Sequence, residues 1–313
     1  MQLGGGIYKT EVFNQIGING VNLPGGGDSQ LDQSFGYIYT HINPLENLKT
    51  TVGLAYDDYN DSATTSRLNI SQLSPKFGLQ WQVFKFINLR MAGFQSVRAP
   101  IINNQTLQPS QIAGFNQFFD DFNGTRTTQY GLGLDVNPTN NIFGGAEAYV
   151  RDLKTQFIVD NQSSIFKRKE ELYRFYINWL PYDNWVISSE LRFEKFKGPA
   201  VDNVKSLETA YIPLNVRFYD ASGFFFDIGG QFVHQIAKKT SESSSENVNS
   251  DFFLFDASVG YRLPKQYGMI SLEGKNLLDK KFKYRDRSFI MNEVRSTDLI
   301  PERLLFVRIS LNF

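Results

Sequence analysis

The sequence predicts an all-β fold, an antiparallel transmembrane β-barrel of about fourteen strands with short periplasmic turns and long extracellular loops. Three observations carry this reading. Apolar side chains alternate with polar or small ones in segment after segment. Longer and shorter connections take turns between those segments. The chain also ends on an alternating strand that finishes at Phe313. Successive side chains of a strand point to opposite faces, so such alternation makes one face apolar and the other mostly polar. In a membrane barrel the apolar face meets lipid and the polar face lines the lumen.

The bulk numbers agree. A chain of 313 residues suffices for one large β domain, and residues 1–313 read as a single barrel domain without a plug domain. The 32 basic and 32 acidic side chains cancel, which removes a general pull toward nucleic acid. Mean hydropathy is slightly negative. No run of about 18 apolar residues exists, so membrane-spanning helices are excluded. A barrel escapes that test because alternation hides it from any average. The 28 Phe, 15 Tyr and 3 Trp suit either an aromatic core or rings at headgroup depth. Cysteine is absent, which removes disulfides, thiolate chemistry and Cys-ligated metals. The start, Met1-Gln-Leu-Gly-Gly-Gly-Ile-Tyr8, lacks the basic and apolar regions of a signal peptide. The expectation is a mature chain, an expressed fragment or the C-terminal part of something longer.

Taken in order, Phe35, Tyr37 and Tyr39 share a face, as do Val52, Leu54 and Tyr56. Phe77, Leu79, Trp81 and Val83 alternate with Lys76, Gly78, Gln80 and Gln82. Ile87, Leu89 and Met91 alternate with Asn88, Arg90 and Ala92. Tyr130, Leu132, Leu134 and Val136 oppose Gln129, Gly131, Gly133 and Asp135. Tyr173, Phe175, Ile177 and Trp179 oppose Arg174, Tyr176 and Asn178. Trp185, Ile187, Leu191 and Phe193 oppose Ser188, Glu190, Arg192 and Glu194. The same pattern runs through Ile212–Phe218, Phe224–Phe232 and Phe253–Tyr261. Segments 2–13, 142–151, 269–276 and 304–313 complete the set.

Long connections are expected near 14–32, 60–74, 98–126, 152–168, 197–206, 237–249 and 279–300. Short ones are expected near 43–48, 84–87, 137–141, 180–184, 220–223 and 264–268. The short ones carry turn chemistry, as in Asn137-Pro-Thr-Asn140 and Asp220-Ala-Ser-Gly223. A β-sandwich also has short hairpins, but it has little reason to gather its long loops at one end. If the last strand ends in the periplasm, every short turn lies there too.

No catalytic signature stands out, and an enzyme is not expected. The chain has two histidines, His41 and His234, and nothing in the sequence ties either to a Ser or Asp partner. Asp120-Asp-Phe-Asn-Gly-Thr125 resembles the start of a calcium loop. Its twelfth position is Gly131 rather than Glu, so a plain Asp-rich turn is the favoured reading. No cofactor or metal is expected.

Lumen-lining candidates carry both signs: Arg90, Asp135, Glu190, Arg192, Arg217, Asp227, Asp256, Arg262, Glu273 and Arg308. They suit either a polar solute path or ion-pair ladders that stiffen the wall. The longest connection, 99–127, holds Ile101, Ile102, Leu107, Ile112, Phe115, Phe118, Phe119 and Phe122, too many apolar groups for an exposed loop. It either packs as an outer cap or folds into the pore, with Phe115, Phe118, Phe119, Asp120 and Asp121 as the cap or constriction residues.

Three segments resemble a known family. Leu73-Ser-Pro-Lys-Phe-Gly-Leu-Gln-Trp-Gln82, with Ile87–Phe94 and Val97-Arg-Ala-Pro100, is similar to a strand-turn-strand block of TonB-dependent receptors. Gly260-Tyr-Arg-Leu-Pro264, Leu272–Phe282 and Pro301–Phe313 are similar to the end of the same barrel, with Asn276-Leu-Leu-Asp279 the most specific element. The resemblance implies an outer-membrane channel of a Gram-negative bacterium for a solute such as a siderophore or glycan. Its partners would be outer-membrane lipid, that solute or an exported polymer, and an upstream periplasmic plug or repeat domain; nucleic acid is not among them. The sequence departs from the family in having no plug, no evident energy-coupling box and few strands. Asn104-Gln-Thr-Leu-Gln-Pro109 and Gly114–Thr125 are instead similar to barrels that follow tetratricopeptide repeats, which implies the pore of a polysaccharide or protein exporter. A structural or adhesive barrel without transport is the third reading.

Overall fold

The computed structural model describes residues 1–13, 17–18, 21–22, 28–63, 66–98, 108–119, 121–159, 162–201, 204–240, 245–284 and 302–312. Strands follow one another as β1 (Gln2–Phe13), β2 (Gly17–Ile18), β3 (Val21–Asn22), β4 (Asp28–Leu45), β5 (Leu48–Ala63) and β6 (Ser66–Phe84). Then come β7 (Ile87–Val97), β8 (Gln111–Ile112), β9 (Phe115–Asn116), β10 (Arg126–Thr139), β11 (Ile142–Val159) and β12 (Gln162–Trp179). The last are β13 (Trp185–Val201), β14 (Val204–Tyr219), β15 (Phe224–Thr240), β16 (Ser245–Arg262), β17 (Gly268–Lys275) and β18 (Leu304–Leu311). One 14-stranded sheet runs β1-β4-β5-β6-β7-β10-β11-β12-β13-β14-β15-β16-β17-β18, and β2-β3 and β8-β9 are small separate ribbons. Each large strand lies beside its nearest neighbour in sequence, which is the up-and-down order that short turns permit.

Several expected long connections prove to be strand. β5 and β6 pair to the tip, Ala63 opposite Ser66, so most of 60–74 is sheet. Likewise β11 runs to Val159 and β12 begins at Gln162, β13 ends at Val201 where β14 resumes at Val204, and β15 reaches Thr240. Strands of 16–19 residues exceed the roughly 9–11 needed to cross a bilayer. Beyond the apolar band neither face needs to be hydrophobic, so the alternation that marks a strand in sequence fades while backbone pairing continues.

The chain forms two compact units. In the first (Met1–Val83, Asn88–Leu132, Tyr149–Glu170), Ile38, Val52, Leu54, Phe77, Met91, Tyr130 and Leu132 stand exposed on one face of the sheet. The intervening Tyr39, Lys76, Ala92 and Gln129 are buried. Two apolar clusters lie on that covered face: Tyr39, Ala92, Phe94, Ile112 and Phe115, and separately Tyr59, Ile70 and Val97. In the second unit (Phe84–Ile87, Gly133–Ala148, Glu171–Phe313), Phe175, Ile177, Leu214, Leu272, Val307 and Ile309 are exposed. Their counterparts Val233, Phe252 and Leu254 form a buried cluster on the other face. The usual rule is thus inverted, with large apolar groups outside, as a lipid-facing sheet requires. In the alternating strand that ends the chain, Leu305, Val307, Ile309 and Leu311 share one face, and all four are exposed.

Candidate functional site

In the first unit a segment leaves the sheet after β7 and folds over its polar face. Residues 110–117 make a tight hairpin closed by the Gln117 N–H donating to the Ser110 carbonyl at 2.9 Å. Ala113 (φ 47°) and Gly114 (φ 87°) take the left-handed conformations of its turn. Ile112 and Phe115 point down onto the sheet, 0% and 2% exposed. Two sheet glycines make room. A Cβ on Gly78 would lie 2.6 Å from Ile112 Cγ2, and one on Gly131 would lie 2.5 Å from the Phe115 ring. Burying two such side chains is worth about 1.5–3 kcal/mol each.

Polar contacts fix the same hairpin. The Tyr39 hydroxyl donates to Gln108 Oε1 at 3.1 Å, and Gln117 Nε2 donates to the Pro109 carbonyl at 2.7 Å. Ser96 Oγ donates to the Gln117 carbonyl at 3.2 Å. The Arg90 guanidinium sits 5.1 Å from the centre of the Phe115 ring.

Farther along, Arg151 of β11 anchors the returning chain. Its guanidinium pairs with Asp121, donates to Glu170 Oε2 at 2.6 Å and lies 3.6 Å from the Phe119 ring centre. Arg168 covers Phe122 at 5.0 Å, and Thr125 and Thr155 share a 2.8 Å hydroxyl hydrogen bond. The backbones of Arg98 and the 124–125 segment exchange two hydrogen bonds, closing the base of the excursion.

Of the expected constriction residues, Phe115, Phe119 and Asp121 are packed as described and Phe118 is half-buried. Asp120, Ile101, Ile102 and Leu107 lie outside the described residues. The carboxylate of Asp121, read as part of a calcium-like turn, is spent on Arg151.

In the second unit the sheet's polar face carries the charged candidates, and they pair. Asp135 accepts from the Tyr176 hydroxyl at 2.8 Å. Glu190 meets Arg174 at 3.0 Å and Arg192 at 3.6 Å, while Arg192 also reaches Glu194 at 3.7 Å. Arg217 pairs with Asp227, Lys275 with Asp256 at 3.1 Å, and Arg308 with Glu273 at 2.8 Å. Arg192 lies over Tyr211 and Arg262 over Tyr219, at 4.7 and 4.5 Å.

A second segment turns onto this face where β17 ends. Asn276 (φ 46°) braces the turn, its Nδ2 donating to the Lys280 carbonyl at 2.9 Å and its Oδ1 accepting the Lys280 N–H at 2.8 Å. The Asp279 N–H returns to the Asn276 carbonyl at 2.8 Å. Phe282 then stacks on Phe252 at 4.1 Å. The Asn276-Leu-Leu-Asp279 element is therefore a turn that redirects the chain.

Sequence reasoning missed Arg151, Glu170, Tyr39 and Gln117. It ended a strand at Arg151 and read 152–168 as loop, so Arg151 and Glu170 had no face to share. Nor did it give His234 a partner. The register places His234 opposite Asp251, and the two form an exposed cross-strand pair, while His41 Nδ1 meets Thr51 Oγ1 at 3.1 Å. Register depends on turns and bulges, which alternation alone does not set. Among the described residues no group of three or more His, Cys, Asp or Glu could hold a metal.

The fold is shared with known outer-membrane receptors. The iron transporter FrpB from Neisseria meningitidis superposes with a TM-score of 0.64 at 13% identity, over 81% of this chain and 42% of its own. The ferric-catecholate import receptor Fiu from K12 E. coli gives 0.57 at 13% identity, over 90% and 47%. The copper transporter OprC gives 0.64 at 13% identity, over 99% and 53%. The chain spans about half, or less, of the length of these structures. A search of curated proteins finds no match to the sequence. Residues 3–170, more than half of the chain, match the family described as TonB dependent receptor-like, beta-barrel. With exposed apolar strand faces, paired charges on the opposite faces and this match in sequence, the chain belongs to the TonB-dependent receptor-like β-barrel family of Gram-negative outer membranes.

Proposed function

We propose that this barrel is a channel for a polar solute, of the size and chemistry of a siderophore or a glycan, and that the 108–125 excursion narrows it. The observation that carries the reading is the burial of Ile112 and Phe115 on the face opposite the exposed apolar band. A segment held there occupies lumen, whereas an outer cap would leave that face free. The mixed ion pairs and the arginine–tyrosine stacks of the second unit supply a wall of hydrogen-bonding groups without a large net field, which suits a neutral or weakly charged polar solute. Long hairpins extend outside the cell and short turns into the periplasm in this reading. An upstream periplasmic domain would then supply energy coupling or a plug.

The test is reconstitution of residues 1–313 in planar bilayers. The intact chain should conduct weakly. Replacing Gln111–Phe119 by a short Gly-Ser linker should raise the conductance and the flux of a malto-oligosaccharide or ferric siderophore. Conductance unchanged by the replacement would remove the excursion from the pore.

A further inference from the structure

On the inner face of the first unit, four aromatic side chains form a continuous row that ends at the excursion. Phe35, Tyr37 and Tyr39 alternate along β4 and therefore share a face. Tyr39 fixes that face as the inner one, since it packs with Ile112 and Phe115. Tyr8 joins the row from β1, because it stands opposite Gln33 in an unbroken register. Ring centres follow at 5.8 Å from Tyr8 to Phe35, 6.5 Å from Phe35 to Tyr37 and 5.8 Å from Tyr37 to Tyr39. The first three rings are nearly parallel, with interplanar angles of 5° and 6°.

Packing alone accounts for part of this row. Phe35 and Tyr37 lean across onto β1, where Gly6 and Gly4 stand opposite them. A Cβ on Gly6 would lie 2.9 Å from Phe35 Cε1. The same glycines have a second effect, because β1 then places no side chain between those rings and the interior. Tyr8 has no glycine opposite, and it stays 49% exposed. The apolar clusters of this face, by contrast, are buried. Polar groups flank the row: Gln33 stands opposite Tyr8 on β4, and Asp57 stands opposite Phe35 on β5.

We propose that Tyr8, Phe35 and Tyr37 form a stacking track that leads the pyranose rings of a neutral, linear glycan toward the constriction. The inference rests on the channel reading above and narrows its solute class. A pyranose has apolar C–H faces and a rim of hydroxyls. Aromatic rings match the faces, and the flanking amide and carboxylate match the rim. Rings at near-even spacing let a chain of sugars step from one contact to the next, each weak enough to release. The row meets the constriction at Tyr39, whose hydroxyl donates to Gln108 of the excursion.

The test is block by maltohexaose of the ion current through residues 1–313 in planar bilayers. Tyr8→Leu and Phe35→Leu should each weaken the block about fivefold. Leucine keeps apolar cover over the glycines but removes the flat ring, so a loss of folding does not mimic a loss of stacking. Tyr8→Phe should keep the block. Ile7→Ala, on the lipid side of the same strand, should behave as the unaltered chain. A poly(ethylene glycol) of similar mass, which has no pyranose faces, should block every variant equally. Maltohexaose block unmoved by the leucine variants, or an equal loss in Ile7→Ala, would overturn the inference. So would a loss shared by the poly(ethylene glycol), or a ring-dependent block by a ferric catecholate but not by maltohexaose. A chain that carries no current defeats the channel reading itself, whereas current with a block indifferent to the rings defeats only the track.

Discussion

Arg151 and Glu170 form a buried ion pair at 2.6 Å, their side chains 2% and 10% exposed. The same guanidinium holds Asp121 of the inward-folded excursion and stacks on Phe119. Three separate parts of the chain therefore meet on one cation. Desolvating these charges is costly, and the arrangement is tolerable because each carboxylate keeps its partner.

Removing that cation should cost more than removing the whole cluster. Arg151→Ala strands two carboxylates and should destabilise the folded chain by about 3–5 kcal/mol. Arg151→Met combined with Asp121→Asn and Glu170→Gln should lose much less. Urea unfolding in lipid vesicles measures both. An Arg151→Ala variant as stable as the triple variant would show the pair to be of no structural consequence.

The last strand offers a sharp test of face. Val307 is 62% exposed among apolar neighbours, whereas the adjacent Arg308 pairs with Glu273 on the opposite face. Val307→Arg, if near the bilayer midplane, should cost about 2–4 kcal/mol. Arg308→Ala should cost far less, since exposed ion pairs contribute about 0–1 kcal/mol. Similar losses at the two positions would contradict the assignment.

Orientation can be read by chemical labelling, because the chain has no cysteine of its own. Lys238 lies near the tip of the β15–β16 hairpin and Lys265 lies in the short connection between β16 and β17. Lys238→Cys should react with a membrane-impermeant maleimide on intact cells, and Lys265→Cys should react only after the outer membrane is opened. The reverse pattern would invert the topology.

Asp220 sits in the short turn between β14 and β15. The Ser222 hydroxyl, and then the Ser222 backbone N–H at 2.9 Å, hold its carboxyl below the usual aspartate value. A depressed folded-state pKa stabilises the turn above the unfolded aspartate value of about 3.9 and loses that contribution as pH falls through the folded value. Ser222→Ala should raise the Asp220 pKa, seen in a carboxyl NMR titration. An unmoved titration would mean that the hydroxyl bond is absent in the membrane-embedded protein.

What the sequence settled by itself is the part governed by period. Alternation in Leu305–Leu311 names the lipid face without reference to any other strand, because side-chain direction follows from strand geometry alone. The strand number was legible for the same reason, and so was the apolar load of the excursion after β7. The tertiary structure decided what depends on register and on contacts distant along the chain. Arg151 lies 19 residues before Glu170 and 30 after Asp121, and only the pairing of β11 with β12 together with the return of the excursion brings the three together. The inward course of Ile112 and Phe115 likewise depends on Gly78 and Gly131, two absent side chains whose effect appears only when the strands that carry them are side by side with the hairpin above.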